Sequence, residues 1–140
     1  MLRYSSQPVR ILLVEDEGSL RALLVEHLAE HGYLVHEAAN AHEAQEIAAR
    51  EKIDLLITDL VMPGPSGLSI SESLAESHPA LRTIFISGYA ETEALHSALK
   101  RPNTFYLQKP FRVLNLLAKI REVLPSQEEA GSTRRRAQCG

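Results

Sequence analysis

Val9-Arg10-Ile11-Leu12-Leu13-Val14-Glu15-Asp16-Glu17 is an almost unbroken aliphatic run that stops on three consecutive acids. A strand with one wet face alternates apolar and polar residues. This run does not alternate, so it reads as a strand covered on both faces, as inside a parallel sheet. A second run of the same kind, Leu55–Thr58, stops on Asp59. Outward from these two, shorter strands are predicted at Leu34–Glu37, Arg82–Ile86 and Thr104–Leu107, and each gap between strands carries a stretch of helical period. The first helix has Leu20, Leu23, Leu24, His27 and Leu28 on one face and ends at Gly32. The second opens at Asn40, with Glu43 completing a capping-box pattern. Further helices fit Leu68–Ser77, Glu91–Lys100 and Arg112–Leu124, the last with Val113, Leu116, Leu117, Ile120 and Leu124 toward a core; Pro79 and Pro102 discourage continuation of the third and fourth.

Five βα units with right-handed crossovers require a closed barrel or an open sheet wound in both directions, and five strands are too few for the eight-stranded barrel. The expected fold is therefore α/β, a flavodoxin-like doubly wound parallel sheet of five strands in the order 2-1-3-4-5 with five helices. Its ligand site belongs at the switch point, where the first and third strands end.

The chain has 140 residues, 44% hydrophobic and 24% charged, enough for one domain whose apolar core needs no metal or disulfide staple. The expected division is an N-terminal extension over 1–8, the folded domain over 9–124 and a flexible tail over 125–140, where apolar residues are scarce. Fifteen Lys and Arg against 18 Asp and Glu exclude a broadly basic nucleic-acid binder, and no apolar run approaches a bilayer span. Direct contact with nucleic acid or membrane is not expected. The start, Met1 to Pro8, lacks the apolar stretch of a signal peptide, so a cytoplasmic location is expected. Arg134-Arg135-Arg136 reads as a solvated run, and Cys139 as an exposed thiol without an intrachain partner.

The chemistry lies at the strand ends. Glu15-Asp16-Glu17 and Asp59 aim carboxylates from neighbouring strands into one crevice, where mutual repulsion calls for protons or a cation. A hard divalent ion answers that need, and magnesium takes carboxylate, water and phosphate oxygens. The fifth strand leads to Lys109, whose ammonium pairs with carboxylates or a phosphoryl group, and the fourth leads to Ser87, a small hydroxyl donor. Together these groups suit a phosphoryl site. His27-Leu28-Ala29-Glu30-His31 also matches the H-x-x-E-H zinc pattern. It sits on the apolar stripe of the first helix without a convincing third ligand, so His27 is expected to pack and His31 to meet the helix-end carbonyls.

Leu13-Val14-Glu15-Asp16-Glu17, Asp59-Leu60-Val61-Met62-Pro63 with Gly67 following, Ile86-Ser87-Gly88, and Tyr106 with Lys109-Pro110-Phe111 together resemble the receiver domain of two-component response regulators, over about Val9 to Leu124. The resemblance implies that Asp59 is the phosphoacceptor, receiving a phosphoryl group from a phosphohistidine on a histidine kinase or phosphotransfer protein. It implies that Asp16, Asp59 and the backbone carbonyl of Val61 hold Mg2+, with Glu15 acting in the acidic pocket through a bound water. Lys109 would hold a phosphoryl oxygen, Ser87 would turn toward the phosphoryl group, and Tyr106 would swing inward as the switch aromatic. The Lys109-Pro110 bond is expected to be cis. The face made by the fourth helix, fifth strand and fifth helix becomes the output surface for a protein partner, or for a homodimer. A carboxylate is a workable nucleophile toward an activated phosphoryl group, so the domain assists its own modification by positioning and electrostatics and is a signalling switch rather than a metabolic enzyme.

Glu15 stands where the family more often has aspartate, and Ser87 where it more often has threonine. Val61 and Tyr89, each two residues beyond a site residue, are placed to shield an acyl phosphate, so slow self-dephosphorylation is expected. Ser87-Gly88-Tyr89-Ala90-Glu91 and Phe105 to Phe111 look most like receivers of hybrid sensor histidine kinases, which leaves a free-standing regulator and a receiver excised from a larger chain both open. Two other readings compete: a pseudo-receiver that binds or dimerises without phosphorylation, and a magnesium-dependent aspartyl phosphohydrolase. The retained Asp59, Asp16 and Lys109 oppose the first. The second lacks both its Asp-x-Asp motif and a cap region.

Overall fold

The computed structural model describes residues 7–88 and 93–124. The expected C-terminal tail, with Arg134–Arg136 and Cys139, lies outside the described residues, as do Tyr89, Ala90 and Glu91 and most of the N-terminal extension. The elements alternate strictly: β1 (Arg10–Val14), α1 (Gly18–Glu30), β2 (Leu34–Ala38), α2 (Ala41–Arg50), β3 (Leu55–Asp59), α3 (Gly67–Ser77), β4 (Arg82–Ser87), α4 (Glu93–Leu99), β5 (Thr104–Gln108) and α5 (Val113–Val123). All strands pair in parallel, in the order β2-β1-β3-β4-β5. The chain reverses its winding between β1 and β3, which opens a crevice at their C-terminal ends.

The aliphatic runs serve two cores by simple alternation. Ile11 and Leu13 of β1 join Leu55, Ile57, Ile84 and Ile86 under α1 and α5, where Leu24, Leu28, Leu116, Leu117, Ile120 and Val123 close the layer. Leu12, Val14 and Leu56 face the other way, against Ala44, Ile47 and Ala48 of α2 and Ile70 and Leu74 of α3. α4 adds Leu95 and Ala98 over Phe85 and Leu60.

Strand limits differ from expectation by single residues: Val9 precedes β1, and Ala38, Asp59, Ser87 and Gln108 each lengthen a strand at its C-terminal end. The chemistry-bearing Asp59 and Ser87 are thus the last residues of their strands. In α1 the expected stripe needs one correction. Leu24 and Leu28 form the buried line with Leu20 and Val25 partly buried beside it, whereas Leu23 is 45% exposed. Gly32 adopts a positive φ of 90°, the left-handed conformation that terminates a helix at low cost in glycine. At α2 the Asn40 side chain accepts from Glu43 N at 2.9 Å, as predicted, but the Glu43 carboxylate reaches back to Ala39 N, one residue before the cap. In the H-x-x-E-H segment, His31 Nδ1 takes up the carbonyl of His27 at 2.9 Å and His27 lies 3.8 Å from Glu30, so the motif finishes a helix.

Candidate functional site

Four strand ends build the site. Beyond β1, the chain is held against its neighbour by Glu15 N donating to Ala38 O at 3.0 Å, which continues the ladder past Val14. Glu15 is 2% exposed, and its Oε2 accepts from Glu17 N at 3.0 Å. The three consecutive acids then part. Glu17 turns away to cap α1, its carboxylate accepting from Leu20 N at 2.9 Å. Glu15 and Asp16 stay with Asp59, and each of the three offers a carboxylate oxygen within 4.8 Å of the others. Among the described residues this is the metal-capable cluster of three such side chains.

Asp59 is buried at the end of β3. The following turn folds back tightly: Leu60 N donates to Ile86 O at 2.8 Å and Gly67 N to Leu60 O at 2.9 Å. A Cβ on Gly67 would overlap the Asp59 carbonyl oxygen and sit 2.9 Å from its carbonyl carbon, so this close approach requires glycine. Val61 projects its side chain at the rim, 62% exposed.

Ser87 is buried at the end of β4, and its carbonyl receives two donors from β5 and the turn after it: Lys109 N at 2.9 Å and the Tyr106 hydroxyl at 3.2 Å. The Lys109-Pro110 peptide is cis, as expected. The Lys109 Nζ leans over the acids, 3.0 Å from Asp59 Oδ1 and 3.5 Å from Glu15 Oε1. The structure thus gathers Glu15, Asp16, Asp59, Ser87 and Lys109 at one edge, with Tyr106 anchored behind Ser87.

One ammonium among three carboxylates leaves excess negative charge. Burial, and then a hydrogen bond shared with Asp59, raises the Glu15 carboxyl to about 7. Burial alone would lower Lys109, but the hydrogen bond and charge of Asp59, with Glu15 behind them, outweigh it and raise the ammonium above its ordinary value. An all-oxygen donor set with surplus negative charge fits a hard divalent cation. Sequence reasoning missed two parts. Glu17 is a helix cap, a role glutamate seldom fills. Arg21 reaches back from α1 to the carbonyl of Glu15 at 2.7 Å, a contact that no local pattern signals.

Comparison with known proteins agrees with this geometry. The response regulator receiver domain pattern matches residues 11–121. Sensor kinase CckA of Brucella abortus (strain 2308) is 37% identical over 120 residues, covering 84% of this chain and only 13% of the kinase. The response regulator receiver protein CpdR of the same organism is 36% identical over 116 residues, covering 82% of this chain and 96% of that protein. Among solved structures, a response regulator protein from Burkholderia pseudomallei with a phosphorylated aspartic acid, calcium ion and citrate is 32% identical, with a TM-score of 0.72, covering 79% of this chain and 65% of that one.

Proposed function

This chain belongs to the response regulator receiver domain family, and from that premise we propose that it accepts a phosphoryl group on Asp59 from a phosphohistidine of a histidine kinase or phosphotransfer protein. The observation that carries the reading is the Lys109 ammonium 3.0 Å from a buried Asp59 carboxylate, with Glu15 and Asp16 alongside. An Asp59 oxygen attacks phosphorus, the phosphorus–nitrogen bond breaks, and the departing imidazole nitrogen keeps the electron pair and takes a proton. Little covalent work is left to the domain, which orients the acceptor and neutralises charge. Lys109 would hold a phosphoryl oxygen. Asp16, Asp59, the Val61 carbonyl and Glu15, the last through a water, would hold Mg2+, which when bound supplies further neutralisation of the phosphoryl oxygens. The phosphorylated aspartate and divalent ion in the Burkholderia relative support both assignments for this chain.

Once Asp59 is modified, the Ser87 hydroxyl has a new acceptor, and its turn would vacate space into which Tyr106 swings, giving up the bond its hydroxyl now donates to the Ser87 backbone carbonyl at 3.2 Å. The face of α4, β5 and α5 then changes shape and signals to a protein partner or a second copy of this chain. Val61 at the rim, 62% exposed, would shield the acyl phosphate and slow its loss. The domain acts in the cytoplasm over residues 9–124, without direct contact with nucleic acid or membrane. The matches cover nearly all of CpdR and a small part of the sensor kinase CckA, which supports both a free-standing regulator and a segment of a hybrid kinase as readings of this chain.

Incubation with acetyl phosphate and Mg2+ should add one hydroxylamine-labile phosphoryl group, read by intact mass, and Asp59→Asn should abolish it. An unlabelled wild-type protein would return the chain to a pseudo-receiver. Repeated turnover of a generic phosphate ester would return it to a phosphohydrolase.

A further inference from the structure

We infer that Arg21 is a positioning residue for the acid cluster: its guanidinium straps the β1–α1 turn to β2 and so sets the direction of the Asp16 carboxylate. The inference rests on the metal reading above. Arg21 closes the first turn of α1, with Nη1 donating to the Glu15 carbonyl at 2.7 Å and Nε paired with Glu37 Oε1 on β2 at 3.1 Å. The other ends of the turn are pinned separately. Glu15 N is held by Ala38 O, Glu17 N by the Glu15 carboxylate, and Glu17 O by Arg21 N. The peptide between Glu15 and Asp16 is the remaining link, and its carbonyl is the oxygen that Arg21 takes.

Asp16 is the exposed member of the cluster, so the turn's backbone, rather than packing around the side chain, decides where its carboxylate points. Rotating the Glu15–Asp16 peptide would swing that carboxylate away from Glu15 and Asp59. A guanidinium holds two acceptors in one plane with little freedom, and a lysine ammonium on a flexible stem does not. The Arg21 side chain is only 23% exposed, so its charge-assisted bonds are partly shielded from water.

The test is calorimetric titration of the full chain with Mg2+, with thermal unfolding as a check on folding. Arg21→Gln is expected to weaken Mg2+ binding about tenfold, the low end for residues that orient metal ligands from behind. Labelling by acetyl phosphate should recover toward the wild-type rate at saturating Mg2+, because the loss lies in assembling the site. Arg21→Lys should fail to restore affinity. Glu37→Ala should weaken binding in the same direction, and the double variant should be no worse than Arg21→Gln alone, since both changes break one strap. Wild-type affinity in Arg21→Gln, rescue by Arg21→Lys, or additive losses would each overturn the inference. If Arg21→Gln does not fold, Glu37→Ala decides, and unchanged affinity there overturns it. A wild-type chain that binds no Mg2+ defeats the metal reading itself before Arg21 is altered.

Discussion

Glu15 and Gly67 show how single residues are tuned to the site. Burial and the neighbouring Asp59 raise Glu15 to about 7, so the metal-free folded chain keeps a proton that the unfolded chain releases near its ordinary 4.5. A raised carboxyl contributes stability that is complete below the unfolded value and lost as pH rises through the folded one. Lys109, raised in turn, holds its contribution until alkaline pH. With a chelator present, the unfolding midpoint should therefore fall more steeply between about pH 4.5 and about pH 7 in the wild type than in Glu15→Gln. Equal slopes would show that Glu15 titrates normally. At Gly67 an added methyl group meets the backbone of Asp59, which cannot step aside as a side-chain tip could. Gly67→Ala should cost about 2–3 kcal/mol in urea unfolding, the upper range for overpacking. Ser66→Ala, which removes only the α3 cap, should cost about 1 kcal/mol. The acids and Lys109 were legible because each follows an apolar run. The need for Gly67 as a contact was not, because Asp59 lies eight residues earlier and only the folded turn brings them together.

At the scale of elements, α1 separates what periodicity tells from what it leaves open. Successive residues advance by about 100° around a helix, so Leu23 and Val25 flank Leu24 symmetrically. The period identifies the helix and its central line but not which flank turns inward. Docking against the sheet and α5 chooses Val25 and leaves Leu23 in water. Leu24→Ala should accordingly cost about 2–5 kcal/mol by denaturant unfolding, as for other buried leucines. Leu23→Ala should stay within about 0.5 kcal/mol of wild type. Similar losses for the two would mean that the helix is rotated from this position. The caps tell the same story. Asn40 is legible from its spacing to Glu43, whereas Glu17 reads as one more acid of the cluster and only the fold turns its carboxylate onto Leu20 N.

For the molecule as a whole, the site exists only because residues far apart in the chain meet at one edge of the sheet. Binding Mg2+ there should stabilise the folded state by mass action, by about 2.7 kcal/mol at one hundred times the dissociation constant. Thermal unfolding with and without Mg2+ should show that rise in wild type and lose most of it in Asp16→Ala; a rise of equal size in the variant would place the ion elsewhere. The amino-acid sequence by itself determined the alternation of elements, the two-sided burial of β1 and β3, the open sheet wound in both directions that handed crossovers require, and which strand ends carry acid, hydroxyl and ammonium. Those are consequences of local period and chain connectivity. Tertiary structure alone decided that Lys109 spans Asp59 and Glu15, that Glu17 leaves the cluster to cap a helix, and that Arg21 and Glu37 brace the turn. The reason is competition: each carboxylate takes whichever donor the register of neighbouring strands and the rotation of the helices bring within reach, and neither is encoded in a window of adjacent residues.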